Sequence, residues 1–515
     1  MCGIVATIPE NPEAVEQSLI SMHMRGPDQK QSINVGFASI GVTRLSITDL
    51  ERGDQPLFSP SGQSVVVFNG AIYNLHELRD RFELDSSSGN DGEVIHQLYE
   101  KVGIDFAGHF DGMFAIVIAD LKEKKIVVAV DSIGIKPLYI CEVEDTFFVA
   151  SIPQAFPKKY AKMIRRVPPG TVWTSDGQSK RFFCHATRDG ILDDLLSESV
   201  RRQIPKEVSW GCLLSGGVDS STIAALACRE YGKINTFTSG LAGSEDLIAA
   251  SKVAEHLGTN HHEEIINPTE LPKLLKDVIG VSGSPDPYVA MSGLGTYVAA
   301  RGAARFGAKV LLSGEGADEL FAGYDEYLSE PEYSLNARLT HDQNDLGATE
   351  CLRLDRCTMA YSIEARVPFL SPSMVRHART IPIQWKLCHH NGNIIRKPVL
   401  RRFAKRLLPK WVADRPKNPF FRGAGIFSSL SSIANDLFSM KKVKCMKSEF
   451  PEFPIEDPIS AWVFSIWYEQ YAYLSDNIND LINRGLFRRR FSQYQPHCEE
   501  PTQYSSPMYS ERFKY

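Results

Sequence analysis

A cysteine stands second in the 515-residue chain, directly before a glycine. If Met1 is removed, Cys2 carries a free α-amino group beside its thiol. Such an amine has a pKa of about 8, so a fraction of the molecules carry a neutral amine at pH 7 that can take the thiol proton. One residue then supplies both a nucleophile and its general base. A cysteine at this position also arises by chance, so this interpretation depends on its neighbours.

Four short motifs follow Cys2 in the first part of the chain. Each is weak alone, because Asn-Gly is usually only a turn and an arginine on a strand is usually solvated. Their order after Cys2 is more specific than any one of them. They read Met24-Arg25-Gly26-Pro27-Asp28, Thr43-Arg44-Leu45-Ser46-Ile47-Thr48-Asp49, Phe68-Asn69-Gly70-Ala71-Ile72-Tyr73-Asn74 and Asn90-Asp91-Gly92-Glu93.

A glycine turn between an apolar run and an Ala-rich helix predicts a phosphate site. The turn reads Ser215-Gly216-Gly217-Val218-Asp219-Ser220-Ser221. Backbone N–H groups at such a turn form a nest that binds anions. No lysine follows the glycines, so this is not the Gly-x-x-x-x-Gly-Lys loop. Asp219 stands where a carboxylate can hold Mg²⁺ beside a pyrophosphate, although an acid there also suits a helix dipole.

Further acids and small residues follow a second apolar run, at 309–312. Ligands bind at the carboxyl ends of parallel strands, so this stretch is expected to join the phosphate loop in one site. Two more motifs and a basic triplet lie downstream. The four segments are Ser313-Gly314-Glu315-Gly316-Ala317-Asp318-Glu319, Leu354-Asp355-Arg356-Cys357, Glu364-Ala365-Arg366-Val367-Pro368-Phe369-Leu370 and Arg415-Pro416-Lys417.

Both motif sets, in this order on one chain, resemble the glutamine-hydrolysing asparagine synthetase family. The first set is similar to the class II glutamine amidotransferase domain and the second to the ATP-pyrophosphatase synthetase domain. For the first, the resemblance implies that Cys2 attacks the glutamine amide while Asn69 and Gly70 hold the oxyanion. Arg44 would pair with the α-carboxylate of glutamine and Asp91 with its α-ammonium group. The implied glutamine-binding residues are Arg44, Leu45, Ser46, Ile47, Thr48, Asn69, Gly70, Ala71 and Asp91.

Two positions depart from the family pattern. Met24 stands where the family usually has histidine. Ala71 stands where it usually has a glutamate that helps to hold the α-ammonium group of glutamine. The change leaves Asp91 as the only carried-over carboxylate there, and losing such a partner costs about 1–3 kcal/mol.

For the second domain, the resemblance implies an ATP site with magnesium. Asp219 and Asp318 would hold Mg²⁺. Glu315 would accept a proton during attack by ammonia, and Lys417 would neutralise charge on the phosphates. The implied ATP-binding residues are Leu213, Ser215, Gly216, Gly217, Asp219, Ser220, Ser239, Ser313 and Gly314.

The implied reaction amidates a carboxylate through an acyl-AMP intermediate, using ammonia released from glutamine. Aspartate is the family's commonest acceptor. Segment 282–297 does not closely follow the pattern of asparagine synthetases, so amidation of a non-aspartate acid in secondary metabolism stays open. A third alternative is a regulatory homologue with weak catalysis, against which the joint retention of Cys2, Asp219, Glu315, Asp318 and Lys417 argues.

The elements that must position these residues fall into two groups. Strand-like runs dominate up to about residue 183, at 36–43, 64–68, 113–119, 125–130 and 146–150, with helices at 12–24 and 92–102. This pattern predicts a layered α+β domain, and the resemblance makes it an N-terminal-nucleophile hydrolase fold. Strands at 210–214, 235–238, 261–266 and 309–312 then alternate with helices at 191–202, 220–230, 246–257 and 298–306. That rhythm predicts a parallel α/β sheet, followed by a helical part after residue 320.

Three regions are therefore expected: a glutaminase domain at 2–183, a synthetase domain at 190–492 and a flexible tail at 493–515. Lys plus Arg number 57 and Asp plus Glu number 62, a net charge of −5. That balance argues against nucleic acid as a partner. We expect small-molecule partners only, namely glutamine, ATP and a carboxylic acid, and the sequence leaves a homodimer open.

The remaining features predict a cytoplasmic protein without a membrane span. No apolar run reaches about 18 residues, and the N-terminus lacks a secretory signal. None of the ten cysteines forms a C-x-x-C pair, so free thiols in a reducing compartment are expected. The pairs His261-His262 and His389-His390 are expected to be structural, and Cys351 and Cys357 to lie in a core or helix.

Overall fold

The protein is described by a computed structural model over residues 2–85, 89–185, 188–390, 393–453 and 455–472. The predicted tail at 493–515 and the side chains of His389 and His390 lie outside what the structure describes. In the part of the chain that is described, no helix is long and apolar enough to cross a membrane.

The first part of the chain contains mostly strands, as predicted. Its strands are β1 Cys2–Ile8, β2 Gln29–Asn34, β3 Ser39–Arg44, β4 Leu57–Phe58, β5 Ser64–Ile72, β6 Gly112–Asp120, β7 Lys125–Val130, β8 Tyr139–Val143, β9 Thr146–Ala150, β10 Arg165–Arg166, β11 Thr171–Thr174 and β12 Ser179–Arg181. Its helices are α1 Pro12–Ser21, α2 Leu75–Phe82 and α3 Glu93–Val102.

These strands form two antiparallel sheets, in the orders β10-β8-β9-β1-β3-β2 and β12-β11-β7-β6-β5-β4. The two sheets pack face to face over a shared apolar core that contains Ile4 and Val67. Helix α1 covers the outer face of the first sheet, and α3 covers the outer face of the second. Because side chains alternate along a strand, β1 sends Ile4 into the shared core and Val5 towards α1. This layered architecture confirms the predicted α+β fold.

The second part alternates strands with helices and ends in helices. Its strands are β13 Trp210–Leu213, β14 Asn235–Leu241, β15 Asn260–Ile266, β16 Val310–Leu312, β17 Glu364–Arg366, β18 Leu387–His390 and β19 Asn393–Arg396. Its helices are α4 Leu192–Gln203, α5 Val218–Tyr231, α6 Glu245–Leu257, α7 Leu271–Ser282, α8 Pro287–Arg305, α9 Ala317–Phe321, α10 Glu332–Asp345, α11 Glu350–Met359, α12 Pro372–Thr380, α13 Pro398–Ala404, α14 Lys410–Ala413, α15 Phe420–Gly423, α16 Ile426–Leu437, α17 Met440–Glu449 and α18 Pro458–Tyr471.

Five of these strands form a sheet in the order β15-β14-β13-β16-β17, in which every adjacent pair is parallel. The predicted parallel sheet is thereby confirmed. In chain order, β14 and β15 lie on one side of β13, whereas β16 and β17 lie on its other side. The crevice between β13 and β16 is therefore the topological switch point, where ligands bind in open α/β sheets.

Helices α2 and α7 were not predicted, and α8 and β17 differ from expectation for identifiable reasons. Helix α8 was predicted only from residue 298 but begins at Pro287, where the Asp286 side chain accepts the N–H of Tyr288 at 2.7 Å. Its glycines hid the helical pattern, yet they are needed for packing: a Cβ at Gly295 would lie 1.7 Å from the Phe420 ring. Strand β17 was not predicted, because its Glu-Ala-Arg sequence carries no apolar strand pattern.

The two parts pack tightly against each other. Leu45 and Met113 from the first share one apolar core with Val367 from the second. Arg25 forms a buried ion pair with Asp355 at 2.9 Å. This interface brings β17 and α11 close to the N-terminal strand.

Candidate active sites

Cys2 begins β1 and lies opposite Arg44 of β3. Its backbone N–H donates to Oδ1 of Asn69 at 2.9 Å, and the Nε2 of Gln55 lies 3.8 Å from its Sγ. The Nδ2 group of Asn69 is buried and has no hydrogen-bond partner among the described residues. A buried amide donor left open beside a thiol is suited to a negative charge that develops during reaction.

Gly70 follows Asn69 on β5 and allows the chain to pass close to β6. Its φ is +148°, and a Cβ there would lie 1.9 Å from the carbonyl oxygen of Met113. Only glycine fits, since any side chain would collide with the neighbouring backbone. The Asn-Gly pair is therefore part of a strand rather than a hairpin turn.

A small cavity of about 30 Å³ lies beside Cys2. Seven of the sequence-predicted residues line it: Cys2, Arg44, Leu45, Ile47, Thr48, Gly70 and Asp91. Three other predicted residues, Asn69, Ser46 and Ala71, do not line it; Asn69 is fully buried and accepts the N–H of Cys2. Ser46 uses its backbone to bind Asp28 and Lys309, while Ala71 packs in the core between the two parts of the chain.

Arg44 is buried and holds the loop that follows it. Its Nη1 donates to Asp54 at 2.9 Å, and its Nη2 donates to the carbonyls of Asp49 at 3.0 Å and Thr48 at 3.2 Å. The guanidinium thus holds the loop that forms one wall of the cavity, and it also lines the cavity itself.

Burial shifts the pKa of two predicted groups in this cavity, the Cys2 thiol and the Asp91 carboxyl. It raises the pKa of the Cys2 thiol, so the nucleophile needs a base. It also raises the pKa of Asp91 to about 6, although the carboxylate accepts the N–H of Ile72 at 2.8 Å. Asp91 is therefore an anion at neutral pH that protonates under mild acid.

The wall opposite the loop comes from the second part of the chain. Glu364 and Arg366 of β17 line the same cavity as Cys2 and form a buried ion pair at 2.6 Å. The motif at 364–370 was visible in the sequence. Nothing in the sequence indicated that this motif faces the first part of the chain.

A larger cavity of about 160 Å³ lies at the carboxyl ends of β13 and β16. The predicted residues that line it are Leu213, Ser215, Gly217, Asp219, Ser220, Ser239, Ser313, Gly314, Glu315, Asp318 and Lys417. Gly216 lies beside it with φ +70°, and a Cβ there would lie 2.5 Å from that of Ala249. The loop after β16 lies against the first turn of α5, since a Cβ at Gly314 would lie 2.7 Å from the backbone nitrogen of Ser220.

Two carboxylates and two ammonium groups meet in this cavity. Lys397 Nζ lies 2.7 Å from Asp219 and 2.6 Å from Asp318, and Lys417 Nζ lies 2.6 Å from Asp318. Burial alone would raise the pKa of Asp318, but the two lysines outweigh it and lower that pKa well below its usual range. The same carboxylates raise the pKa of Lys417 against the effect of burial. Asp318 and Lys417 are thus held in their charged forms.

Lys397 was missed from the sequence. It lies in a basic stretch that is typical of a solvated face, yet its side chain is 1% exposed. Its backbone has φ +55°, uncommon for a residue other than glycine, immediately before Pro398 begins α13. This turn directs the ammonium inwards.

The paired carboxylates fit a magnesium ion. One cation, the Lys397 ammonium, already bridges Asp219 and Asp318, so both present oxygens to one point. Magnesium binds through one or two protein carboxylates and completes its shell with water and phosphate oxygens.

Glu315 lies farther along the cavity and forms an ion pair with Arg353 of α11. Arg353 also donates from Nη1 to the hydroxyl of Thr296 at 2.7 Å. Glu350 lines the same region. This end of the cavity therefore carries both signs of charge beside the loop that follows β16.

The other residues singled out in the sequence lie in packed surroundings. His261 Nδ1 lies 2.9 Å from the Thr236 hydroxyl, and His262 stacks on Phe237 with ring centres 4.9 Å apart. Cys351 and Cys357 lie buried on α11, as predicted.

Family models match both parts of the chain: a glutamine amidotransferase domain at residues 1–170, and asparagine synthase at 191–342 and 329–451. Asparagine synthetase B [glutamine-hydrolyzing] of Escherichia coli K12 is 32% identical, over 88% of this chain and 88% of that protein. Asparagine synthetase [glutamine-hydrolyzing] 3 of Arabidopsis thaliana is 31% identical, over 92% and 87%. A solved structure described as the allosteric regulatory enzyme of purine biosynthesis matches with a TM-score of 0.31 and 19% identity, over 47% of this chain and 66% of that one. On its matches to these synthetases along most of its length, the chain belongs to the glutamine-hydrolysing asparagine synthetase family.

Proposed function

We propose that this protein is a carbon–nitrogen ligase that makes asparagine from aspartate, ATP and glutamine. One observation carries the proposal: the chain has two separate reactive cavities. The first has a thiol beside an open amide donor. The second has paired aspartates and lysines at the switch point of a parallel sheet. A glutaminase and an ATP-dependent amide synthetase need these two kinds of site.

In the first cavity, Cys2 Sγ attacks the side-chain amide carbon of glutamine. The free α-amino group of Cys2 takes the thiol proton and returns it to the departing ammonia. Asn69 Nδ2, which lacks a partner among the described residues, donates to the oxyanion together with the backbone of Gly70. Water then hydrolyses the thioester to release glutamate.

In the second cavity, the β-carboxylate of aspartate attacks the α-phosphate of ATP and pyrophosphate leaves. Lys417 and Lys397 neutralise the charge that develops on the phosphates, as buried point charges can. Asp219 and Asp318 are the residues that would hold Mg²⁺, which when bound draws charge from the pyrophosphate.

Ammonia then attacks the acyl carbon of the adenylate, and AMP leaves. Glu315 accepts the proton that the attacking nitrogen releases, with Arg353 fixing the position of its carboxylate.

We assign the glutaminase domain to 2–183 and the synthetase domain to 190–492, of which 473–492 lie outside the described residues. The last strand of the first domain ends at Arg181, and the first helix of the second begins at Leu192. The Cys2 chemistry requires a reduced thiol, which fits the cytoplasm.

The test offers a panel of carboxylic acids with ATP, Mg²⁺ and ammonia, and follows pyrophosphate release. We expect aspartate to give the highest kcat/KM. Asp219→Asn and Asp318→Asn should each abolish the aspartate-dependent signal, whereas Asp193→Asn, at a surface ion pair with Arg406, should leave it unchanged. Preference for another acid would contradict the assigned substrate, and near-normal release in both variants would contradict the assigned site.

A further inference from the structure

The glutamine pocket is completed by a strand of the synthetase domain. Side chains alternate along β17, so Glu364 and Arg366 lie on one face and Ala365 on the other. The first two line the cavity beside Cys2, whereas Ala365 packs in the core between the domains. Both lining residues are buried, with 1% of Glu364 and 4% of Arg366 exposed.

Glutamine brings two opposite charges to this cavity, its α-carboxylate and its α-ammonium group. A buried ammonium group is costly unless a carboxylate faces it. Position 71 supplies none, because it is an alanine whose side chain packs away from the cavity. The described residues that line the cavity include two carboxylates, Asp91 and Glu364.

Asp91 alone is a weak partner for an ammonium group. One of its oxygens already accepts the N–H of Ile72. Burial raises its pKa to about 6, so its charge is easily lost. Burial acts on Glu364 in the same sense, but Arg366, the N-terminal ammonium group of the chain and Lys136 together outweigh it and hold the pKa of that carboxyl below its usual range. Glu364 therefore stays ionised where Asp91 begins to protonate.

We propose that Glu364, which belongs to the synthetase domain, recognises the α-ammonium group of glutamine in the Cys2 cavity. Its ion pair with Arg366, whose Nη1 is anchored on the carbonyl of Gln203 at 2.8 Å, fixes the position of the carboxylate. Glutamine specificity thus depends on a residue outside the glutaminase domain. This inference rests on the proposed use of the cavity for glutamine.

The test compares glutamine with 4-carbamoylbutanoate, which is glutamine without its α-amino group. Hydrolysis of each amide is followed as ammonia release, without ATP or aspartate. Glu364→Gln should lower kcat/KM for glutamine about tenfold, the size of one lost charge-assisted contact, and leave that for the analogue nearly unchanged. The preference for glutamine over the analogue should therefore fall about tenfold.

Asp120→Asn is the matched control, because it neutralises a buried carboxylate that binds the Tyr99 hydroxyl at 2.7 Å and does not line the cavity. It should leave the preference unchanged. If Glu364→Gln does not fold, Glu364→Gln combined with Arg366→Gln removes both buried charges, which costs less than breaking the pair. The double variant should lose the preference to the same extent.

An equal loss for both amides would overturn the inference, since it would assign Glu364 a purely structural role. An unchanged preference in a folded variant would overturn it as well. Failure of the proposed function gives a different result: Cys2→Ala would still hydrolyse glutamine, whatever the effect of changes at Glu364.

Discussion

At the scale of single residues, Lys397 is the main addition that the structure makes to the larger cavity, because no sequence motif marked it as a site residue. It bridges the two carboxylates assigned to magnesium, and with Lys417 it doubles the positive charge available to the phosphates. Motif positions such as Asp219 and Asp318 were predictable because their types and spacing suit phosphate and metal. Lys397 was not, since its burial depends on a left-handed turn that only the folded chain creates.

Lys397→Met should therefore slow aspartate-dependent pyrophosphate release by roughly 10²–10³, the usual effect of removing one group that stabilises developing charge. Lys397→Arg should retain part of the activity, because it keeps the charge. Lys405→Met is the control, since Lys405 pairs with Asp414 outside the cavity. Steady-state kinetics with ammonia as donor measures the effect, and a near-normal rate in Lys397→Met would exclude the assigned role.

Ionisation of Asp91 should favour the binding of glutamine but oppose the folding of the protein. With a folded-state pKa of about 6, it protonates as the pH falls from 7 to 5, so the KM for glutamine should rise over that range. Asp91→Asn should have a high KM at both pH values. The folded-state pKa lies above the unfolded value, so ionisation opposes folding at pH 7 and Asp91→Asn should raise Tm there.

Burial sets the sign of this prediction, and the neighbouring charges only modify it. Glu364 raises the pKa of Asp91 and Arg366 lowers it, and both act less than burial. Kinetics across pH and thermal unfolding at pH 7 measure the two effects. A pH-independent KM in the unaltered enzyme, or a lower Tm in Asp91→Asn, would contradict the assignment of this carboxylate.

At the scale of elements, apolar runs predicted most of the central strands, because parallel strands that are buried on both faces consist almost entirely of apolar residues. The elements that the apolar pattern did not predict depend on packing between distant parts of the chain. Helix α8 needs Gly295 beneath Phe420, so its sequence weakens the helical pattern. Strand β17 owes its place to pairing with β16, and its two polar side chains are buried in a mutual ion pair beside the Cys2 cavity.

The loop after β3 also depends on the other domain. Glu207, which follows α4, accepts the N–H groups of Asp49 at 3.0 Å and Leu50 at 3.3 Å. Lys309 pairs with Asp28 at 2.7 Å on the other side of the same loop. The second part of the chain thus holds one wall of the cavity beside Cys2.

Glu207→Ala should therefore raise the KM for glutamine about two- to tenfold, as expected for two lost hydrogen bonds to an exposed carboxylate. The rate with ammonia should not change, because this loop is remote from the second cavity. Glu230→Ala, in the last turn of α5 at an ion pair with Arg229, is the control. Parallel assays with the two nitrogen donors separate these effects, and an equal loss with both donors would contradict a local role for Glu207.

At the scale of the whole molecule, α11 connects the two cavities. Arg353 pairs with Glu315 in the second cavity, and two residues later Asp355 pairs with Arg25. Arg25 Nε in turn donates to the carbonyl of Cys2 at 3.2 Å. Sequence motifs predicted each site separately, but a shared helix between them could not be predicted, because it depends on how the domains dock.

The most direct test of two cooperating sites is asparagine formation by Cys2→Ala with each nitrogen donor. We expect no asparagine from glutamine, because the nucleophile is gone. We expect near-normal asparagine formation from ammonia, because ammonia reaches the adenylate without the thiol. Loss of both activities in a folded variant, or continued synthesis from glutamine, would contradict the division of labour between the cavities.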